Sequence, residues 1–168
     1  MRRTILGRTP PTAMIATSFV VAVVLEMLPW GSWPMPEFLA LVLVFWNVFQ
    51  PRRVGIALAW LLGIVMDVHS GALLGQHALV YSLLSYGAIA MHRRLLWYSI
   101  PAQALQLFPL FLLANIAVTL VNMFFSGVAP SWVFFLTPVL TAILWIPLTN
   151  MVLGRLNRAR DSSAAIGR

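Results

Sequence analysis

The amino-acid sequence predicts an all-α protein that spans a membrane as one bundle of about six helices, with both termini in the cytoplasm. Three observations predict this class: a composition that is 61% hydrophobic and 9% charged, a series of near-spanning apolar stretches, and basic residues confined to alternate connections. Soluble domains are about half apolar and about a quarter charged. A chain with the present proportions could not cover its apolar surface in water.

Six apolar stretches are separated by Pro, Gly, Arg or Trp. In chain order they are Thr12–Leu28, Glu37–Phe49, Val54–Val68, Leu73–Met91, Ile100–Phe125 and Trp132–Gly154. The second and third are short, because about 15 residues at ~1.5 Å each cover only ~22 Å of a hydrocarbon core of ~30 Å. We predict six full crossings; the alternative is four crossings with a re-entrant hairpin.

The basic residues indicate the orientation. All 11 are arginine, and they precede the first stretch, separate the second from the third and the fourth from the fifth, and follow the sixth. They are Arg2, Arg3, Arg8, Arg52, Arg53, Arg93, Arg94, Arg155, Arg158, Arg160 and Arg168. Because cytoplasmic loops collect basic residues, both termini are predicted inside. The net charge of +7 therefore reports membrane topology and does not indicate nucleic acid as a partner.

The chain is predicted to form one transmembrane domain, residues 1–156, followed by a short polar cytoplasmic tail, residues 157–168, that is expected to be disordered. Thr12–Leu28 is expected to be a retained helix, since Pro29 follows it instead of a small-residue cleavage site. The connections without arginine are only a few residues long. Partners would therefore be met within the membrane or at its two faces.

Small residues recur at every fourth position through the third stretch and the turn that follows it. The series is Gly55, Ala59, Gly63, Asp67, Gly71 and Gly75. On a helix this spacing forms a slowly drifting stripe along which another backbone can approach closely. Ordinary helix packing is the favoured interpretation for Gly55, Ala59 and Gly63.

Asp67 differs from the rest of the series, because an ionisable group within a span is costly and usually functional. His69 lies two residues further along, and Gln76 and His77 follow the turn. The favoured interpretation is a helix-ending carboxylate that hydrogen-bonds the backbone of the turn and fixes its shape. Direct contact with a partner or ligand is the alternative. A metal site of Asp67, His69 and His77 is not predicted, since their spacing matches no recognised ligand pattern.

Two more carboxylates, Glu26 and Glu37, are expected at the same outer end of the bundle as Asp67. Glu37 begins the second stretch, where a negative charge suits a helix N-terminus, so a capping role is expected for it. Glu26 lies within the first stretch and could face a partner or a polar cavity.

Polar residues also share one face of the fifth stretch, namely Asn115, Thr119 and Asn122. Such residues usually join helices through modest hydrogen bonds of ~0.6 kcal/mol, and this is the favoured interpretation. A polar pocket formed by these three residues together with Glu26 is the alternative.

Catalytic patterns are missing from the sequence. It has no cysteine and no Gly-x-Ser-x-Gly, which commonly supply a nucleophile. It has no lysine for a phosphate-binding loop and no His-Glu-x-x-His for a zinc site. The only aspartate besides Asp67 is Asp161, near the C-terminus. We therefore predict that the protein is not an enzyme and that it uses no cofactor and no metal.

Three segments carry a resemblance to a known family. They are Pro51-Arg52-Arg53-Val54-Gly55, Gly63-Ile64-Val65-Met66-Asp67 and Gly71-Ala72-Leu73-Leu74-Gly75-Gln76-His77-Ala78-Leu79. Together they resemble the MreD family of rod shape-determining membrane proteins, which typically shows Pro-Arg after the second span, a Gly-Leu-Leu-x-Asp-like end to the third, and a Gly-x-x-Leu-Gly turn. The second segment departs from that pattern in its middle residues. The length, six-span layout and basic edges extend the resemblance over the whole chain.

The resemblance implies a non-enzymatic scaffold of the cell-wall elongation machinery, or elongasome, in the bacterial inner membrane. Such a protein supports rod shape and lateral peptidoglycan synthesis. Its implied partner is MreC, met through that protein's membrane helix and periplasmic region, with MreB, RodA and the associated transpeptidase as direct or indirect partners. The turn that would organise the MreC-binding surface comprises Asp67, Gly63, Gly71, Gly75, His69 and Gln76.

The family is also similar in architecture to the S components of energy-coupling-factor transporters. The alternative function is therefore a subunit that binds or transports a small molecule. In that case Glu26, Asn115, Thr119 and Asn122 would line its pocket.

Overall fold

The computed structural model describes residues 10–29, 34–127 and 132–166, which form six α-helices and one short 3-10 helix. The helices are α1 (Thr12–Met27), α2 (Phe38–Phe49), α3 (Gly55–Ser70), α4 (Gln76–Leu95), α5 (Ile100–Ser126) and α6 (Leu136–Ile166), with the 3-10 helix η1 (Trp132–Phe135) before α6. Each predicted apolar stretch corresponds to one α-helix, so the all-α class is confirmed for the described part of the chain. The apolar parts of α5 and α6, Ile100–Phe125 and Leu136–Leu156, are long enough to cross a membrane. The number of crossings and the orientation remain predictions.

Helix α6 is longer than the sequence suggests. It continues through Ile166, so the expectation of a disordered tail from residue 157 is wrong over residues 157–166. Arg and Ala, which are frequent between residues 155 and 165, are good helix formers and let the last span extend as one helix. The division into a membrane domain and a tail remains a prediction.

Helix α2 lies at the centre of the bundle. Every side chain from Leu39 to Val48 is buried, and the helix packs against α1, α4 and α6. A helix that is apolar on all sides is stable where other helices surround it. The only strongly polar side chain in this run, that of Asn47, donates its amide to Ser85 Oγ of α4 at 2.6 Å. The second apolar stretch therefore forms an interior helix, enclosed along most of its length.

Helices α3 and α4 form the most extensive helix pair, and the small-residue stripe explains why they pack so closely. Ala59 is fully buried. At Gly63 a Cβ atom would overlap the Cα and N atoms of Ala78 and lie 2.7 Å from the carbonyl carbon of His77. Gly55 is different, because its φ of 61° begins α3 and an added Cβ would meet open space. The expected packing role is therefore wrong for Gly55.

The connection between α3 and α4 is a short turn bounded by two glycines. Gly71 ends α3 with φ 63°, and Gly75 precedes α4 with φ 99°. Residues with a Cβ rarely adopt this left-handed region, so both positions favour glycine. The turn places the C-terminus of α3 and the N-terminus of α4 side by side.

Candidate functional site

The Asp67 carboxylate joins α3 to the start of α4. Its side chain is 0% exposed. Oδ2 accepts hydrogen bonds from Gly75 N at 2.8 Å and Ala78 N at 3.4 Å, and Oδ1 accepts one from His77 N at 2.7 Å. Asp67 therefore caps α4 from the preceding helix.

This arrangement follows from the needs of a helix terminus. The first amides of a helix have no partner within it, and Gly75, at the N-cap position, has no side chain to accept from them. Asp67 supplies that acceptor and places its negative charge at the positive end of the α4 dipole. Its own carbonyl accepts from Gly71 N and from Ala72 N, the latter at 3.2 Å. A single residue thus ends α3 and begins α4.

The side chain of His77 also contacts the Asp67 carboxylate. His77 was not among the residues that the sequence predicts for the turn. Its Nδ1 lies 2.8 Å from Asp67 Oδ1, and its ring contacts Tyr81 edge-on with centroids 5.9 Å apart. The neighbouring His69 is exposed, and its side chain forms no hydrogen bond with another described residue. Within the described part of the chain, no three His, Cys, Asp or Glu side chains converge as metal ligands would.

Gln76, the first residue of α4, is buried and links two helices. Its Nε2 donates to Asn122 Oδ1 of α5 at 3.1 Å. On the same face of α5, Asn115 Nδ2 donates to the Phe134 carbonyl of η1 at 2.8 Å, and Thr119 Oγ1 donates to the Asn115 carbonyl at 2.8 Å. These side chains are used in contacts between and within helices.

A second carboxylate caps a helix that is distant in sequence. Glu26 Oε2, near the end of α1, accepts a hydrogen bond from Leu39 N at 3.3 Å. Glu37 occupies the N-cap position of α2 without a side-chain capping bond, while its N–H donates to Thr141 Oγ1 of α6 at 3.0 Å. The capping role expected for Glu37 is therefore wrong, and Glu26 performs it instead.

The hydrogen bond between Glu26 and Leu39 N leads to a testable prediction about the free energy of unfolding. Glu26→Ala is expected to lower the free energy of unfolding by about 1 kcal/mol, the usual effect of removing a capping acceptor. Glu37→Ala is the matched control and is expected to have a smaller effect, since its carboxylate caps no helix. Equilibrium unfolding in detergent measures both, and equal losses for the two variants would argue against capping by Glu26.

The three carboxylates gather at one end of the bundle. Glu26, Glu37 and Asp67 all lie near the buried Tyr81 of α4, and His77 lies near Glu26. This end contains the starts of α2 and α4, whereas the paired arginines at residues 52–53 and 93–94 adjoin the opposite ends of these helices. Three of the four carboxylates therefore lie at the end of the bundle opposite to these paired arginines.

An apolar groove of about 620 Å³ lies between α1, α2 and α6. We call it the α1–α6 groove. Its lining includes Val21, Ala22, Leu41, Leu148, Met151 and Arg155. Val21 and Met151 are 56% and 53% exposed, so the groove is open along the surface of the bundle. Glu26 and the polar residues of α5 do not line it.

Comparison with known proteins points to one family. The family described as "MreD: rod shape-determining protein MreD" matches residues 8–153. Rod shape-determining protein MreD of Haemophilus influenzae is 41% identical over 75 residues, which cover 43% of this chain and 46% of that protein. The alignment thus spans about half the length of that relative. No solved structure matches the chain.

Proposed function

Since the chain belongs to the MreD family of rod shape-determining proteins, we propose that it is a non-enzymatic membrane scaffold of the cell-wall elongation machinery. The family match over residues 8–153 is the observation that carries this proposal. It supports a role in cell shape. Within this role, the chain would bind MreC and thereby support lateral peptidoglycan synthesis, with MreB, RodA and the transpeptidase as further direct or indirect partners.

The proposed membrane placement is six crossings in the bacterial inner membrane with both termini in the cytoplasm. The segregation of charge supports it, because the arginine-bearing helix ends match the positive-inside rule. The shortness of α2, with 12 residues, is compatible with a crossing because its neighbours shield it from lipid. The opposite end, with its three carboxylates, would then face the periplasm.

We propose that the α1–α6 groove receives the single membrane helix that the family resemblance implies for MreC. Helices associate in lipid through close packing and interhelical hydrogen bonds, because burial of apolar surface from lipid gives little driving force. A groove with walls from α1 and α6 and a floor from α2 offers one inserted helix contacts on three sides. An apolar lining suits a partner helix whose own surface is apolar.

The α3–α4 turn would contribute a second surface, for the periplasmic region of MreC next to the membrane. Leu73 and Leu74 are 50% and 68% exposed there, on the backbone that Asp67, Gly71 and Gly75 hold. Asp67 is buried, so its contribution to binding would be indirect, through the shape of this turn. His69, exposed beside the turn, is available to the same partner.

The alternative, an S-component-like subunit for a small molecule, has less support. Small-molecule sites combine apolar walls with a few convergent polar groups. The α1–α6 groove is mostly apolar, and Glu26, Asn115, Thr119 and Asn122 are used in separate helix contacts. The groove has the character of a surface for a partner helix.

The scaffold proposal is tested by capture and by complementation. The tagged chain, co-expressed with the MreC protein of the same organism and extracted in mild detergent, is expected to retain MreC in near-stoichiometric amount. It is also expected to restore rod shape to cells of that organism that lack their own copy. Restored shape without MreC capture would contradict the proposal that MreC is the partner. Recovery of ATPase-coupled transporter subunits would favour the S-component alternative.

Filling the groove is expected to weaken partner binding without unfolding the protein. Val21→Trp adds an indole to a half-exposed groove position, so MreC capture is expected to fall about tenfold, equivalent to about 1.4 kcal/mol, with the unfolding midpoint unchanged. The matched control is Leu105→Trp on α5, where Leu105 is 75% exposed and lies outside the groove.

The chain has no cysteine, so a second measurement supports the same prediction. A single cysteine at Met151 should cross-link to a cysteine in the MreC membrane helix, whereas one at Leu120, 60% exposed on α5, should not. Undiminished capture by Val21→Trp, or equal cross-linking at both positions, would place MreC elsewhere on the bundle.

A further inference from the structure

The connection between α4 and α5 borders a second, open cavity, and its lining is cationic and aromatic. This open cavity of about 600 Å³ is lined by Arg93, Arg94, Trp97 and Tyr98. Both arginines are exposed, and neither guanidinium forms a hydrogen bond or ion pair with another described residue. Trp97 is 85% exposed and Tyr98 is 44% exposed. Four side chains are thus free to bind a ligand from outside the chain.

No described residue forms a contact that neutralises Arg93 or Arg94. The carboxylates of Glu26, Glu37 and Asp67 lie at the other end of the bundle. By contrast, Arg53 in the preceding basic connection donates Nη1 to the Pro10 carbonyl at 2.8 Å. Two adjacent free guanidiniums repel each other, so an external anion that binds both is favoured.

The surroundings identify which anion fits. Guanidinium groups bind phosphate oxygens in a bidentate manner, and Trp and Tyr are enriched where headgroups meet the hydrocarbon core. Basic pockets at the cytoplasmic ends of membrane helices are suited to anionic lipid headgroups. The same connection starts α5, whose N-cap Ser99 forms no side-chain capping bond, so the positive end of the α5 dipole adds to the local potential.

We propose that the α4–α5 corner is a binding site for an anionic phospholipid, preferentially one with two phosphates such as cardiolipin. The phosphates would bind Arg93 and Arg94, and the glycerol region would lie against Trp97 and Tyr98. This proposal depends on the membrane placement proposed above and is independent of the binding of MreC. Bound lipid would anchor this end of the α4–α5 pair at the interface.

The test is lipid binding to the full chain in mild detergent, with cardiolipin and phosphatidylcholine as probes. Native mass spectrometry counts the bound lipids, and the unfolding midpoint is followed as each lipid is added. The wild-type chain is expected to bind and be stabilised by cardiolipin in preference to phosphatidylcholine. The double variant R93Q/R94Q is expected to lose about tenfold in cardiolipin affinity.

The matched control is R52Q/R158Q, which removes the same charge from exposed arginines outside this cavity. Its cardiolipin affinity is expected to stay within about twofold of wild type. Trp97→Ala should weaken cardiolipin binding while the lipid-free unfolding midpoint is unchanged, because that side chain is largely exposed. Equal losses of cardiolipin affinity in the two double variants would show that diffuse surface charge binds the lipid, and would overturn the proposal. The proposal would also be overturned if the wild-type chain showed no lipid preference, or if inorganic phosphate stabilised it as much as cardiolipin.

Discussion

Asp67→Ala is expected to lower the free energy of unfolding by about 3 kcal/mol, because three backbone donors lose their acceptor at once. They are the amides of Gly75, His77 and Ala78, and each unsatisfied amide costs ~1 kcal/mol or more. The favourable charge at the N-terminus of α4 is lost as well. Equilibrium unfolding of the purified protein in detergent measures the effect. Asp67→Asn keeps one accepting oxygen, so its free energy of unfolding should lie between those of the wild type and Asp67→Ala.

His69→Ala is the matched control for this prediction. His69 is two residues from Asp67, but it is exposed and its side chain forms no hydrogen bond with another described residue, so its replacement should change the free energy of unfolding by less than about 0.5 kcal/mol. An Asp67→Ala protein as stable as wild type would show that the three amides find other acceptors. The carboxylate would then not be needed to hold the turn.

The same variant distinguishes two ways in which Asp67 could influence a partner. If Asp67 only shapes the turn, MreC capture should fall in proportion to the loss of stability and should recover partly in Asp67→Asn. If Asp67 contacted MreC directly, capture would fall while the unfolding midpoint stayed normal. The side chain is 0% exposed, which favours the indirect effect.

The helices could be predicted because lipid and bundle core both demand continuous apolar segments. The stretches Thr12–Leu28 and Ile100–Phe125, for example, differ from α1 and α5 by only one residue. Gly71 and Gly75 marked the turn because positive φ angles favour glycine. The interior position of α2 was harder to predict, since an all-apolar segment is equally compatible with exposure to lipid.

The sequence led us to expect a hydrogen bond between Asp67 and the backbone of the turn, but which helix each carboxylate caps could not be predicted from local patterns. Sequence rules place the capping acceptor at the N-cap residue or three residues after it. Here Glu26 reaches α2 from the preceding helix, and Asp67 reaches His77 ten residues further on. Such contacts depend on which helix ends meet in space. The α1–α6 groove likewise arises from the spacing between helices and has no signature in the sequence.

Gly63→Ala is expected to destabilise the protein by about 3 kcal/mol, at the upper end of the range for overpacking. The added methyl group would overlap the backbone of Ala78. A flexible side chain could rotate away, but a backbone atom cannot, so α3 and α4 would have to separate. Gly154→Ala in α6 is the matched control, because an added Cβ meets nothing within 4 Å there and alanine should stabilise the helix by up to ~1 kcal/mol.

The two largest effects should also be coupled. Gly63 lets α4 pack closely against α3 at His77 and Ala78. The backbone amides of these two residues donate hydrogen bonds to Asp67. Moving α4 outward would lengthen these hydrogen bonds, so Gly63→Ala should already remove part of what Asp67→Ala removes. The double variant is therefore expected to be less destabilised than the sum of the single variants, by about 1 kcal/mol. Strict additivity would mean that helix packing and capping act independently, and that the stripe of small residues is not what positions the Asp67 contact.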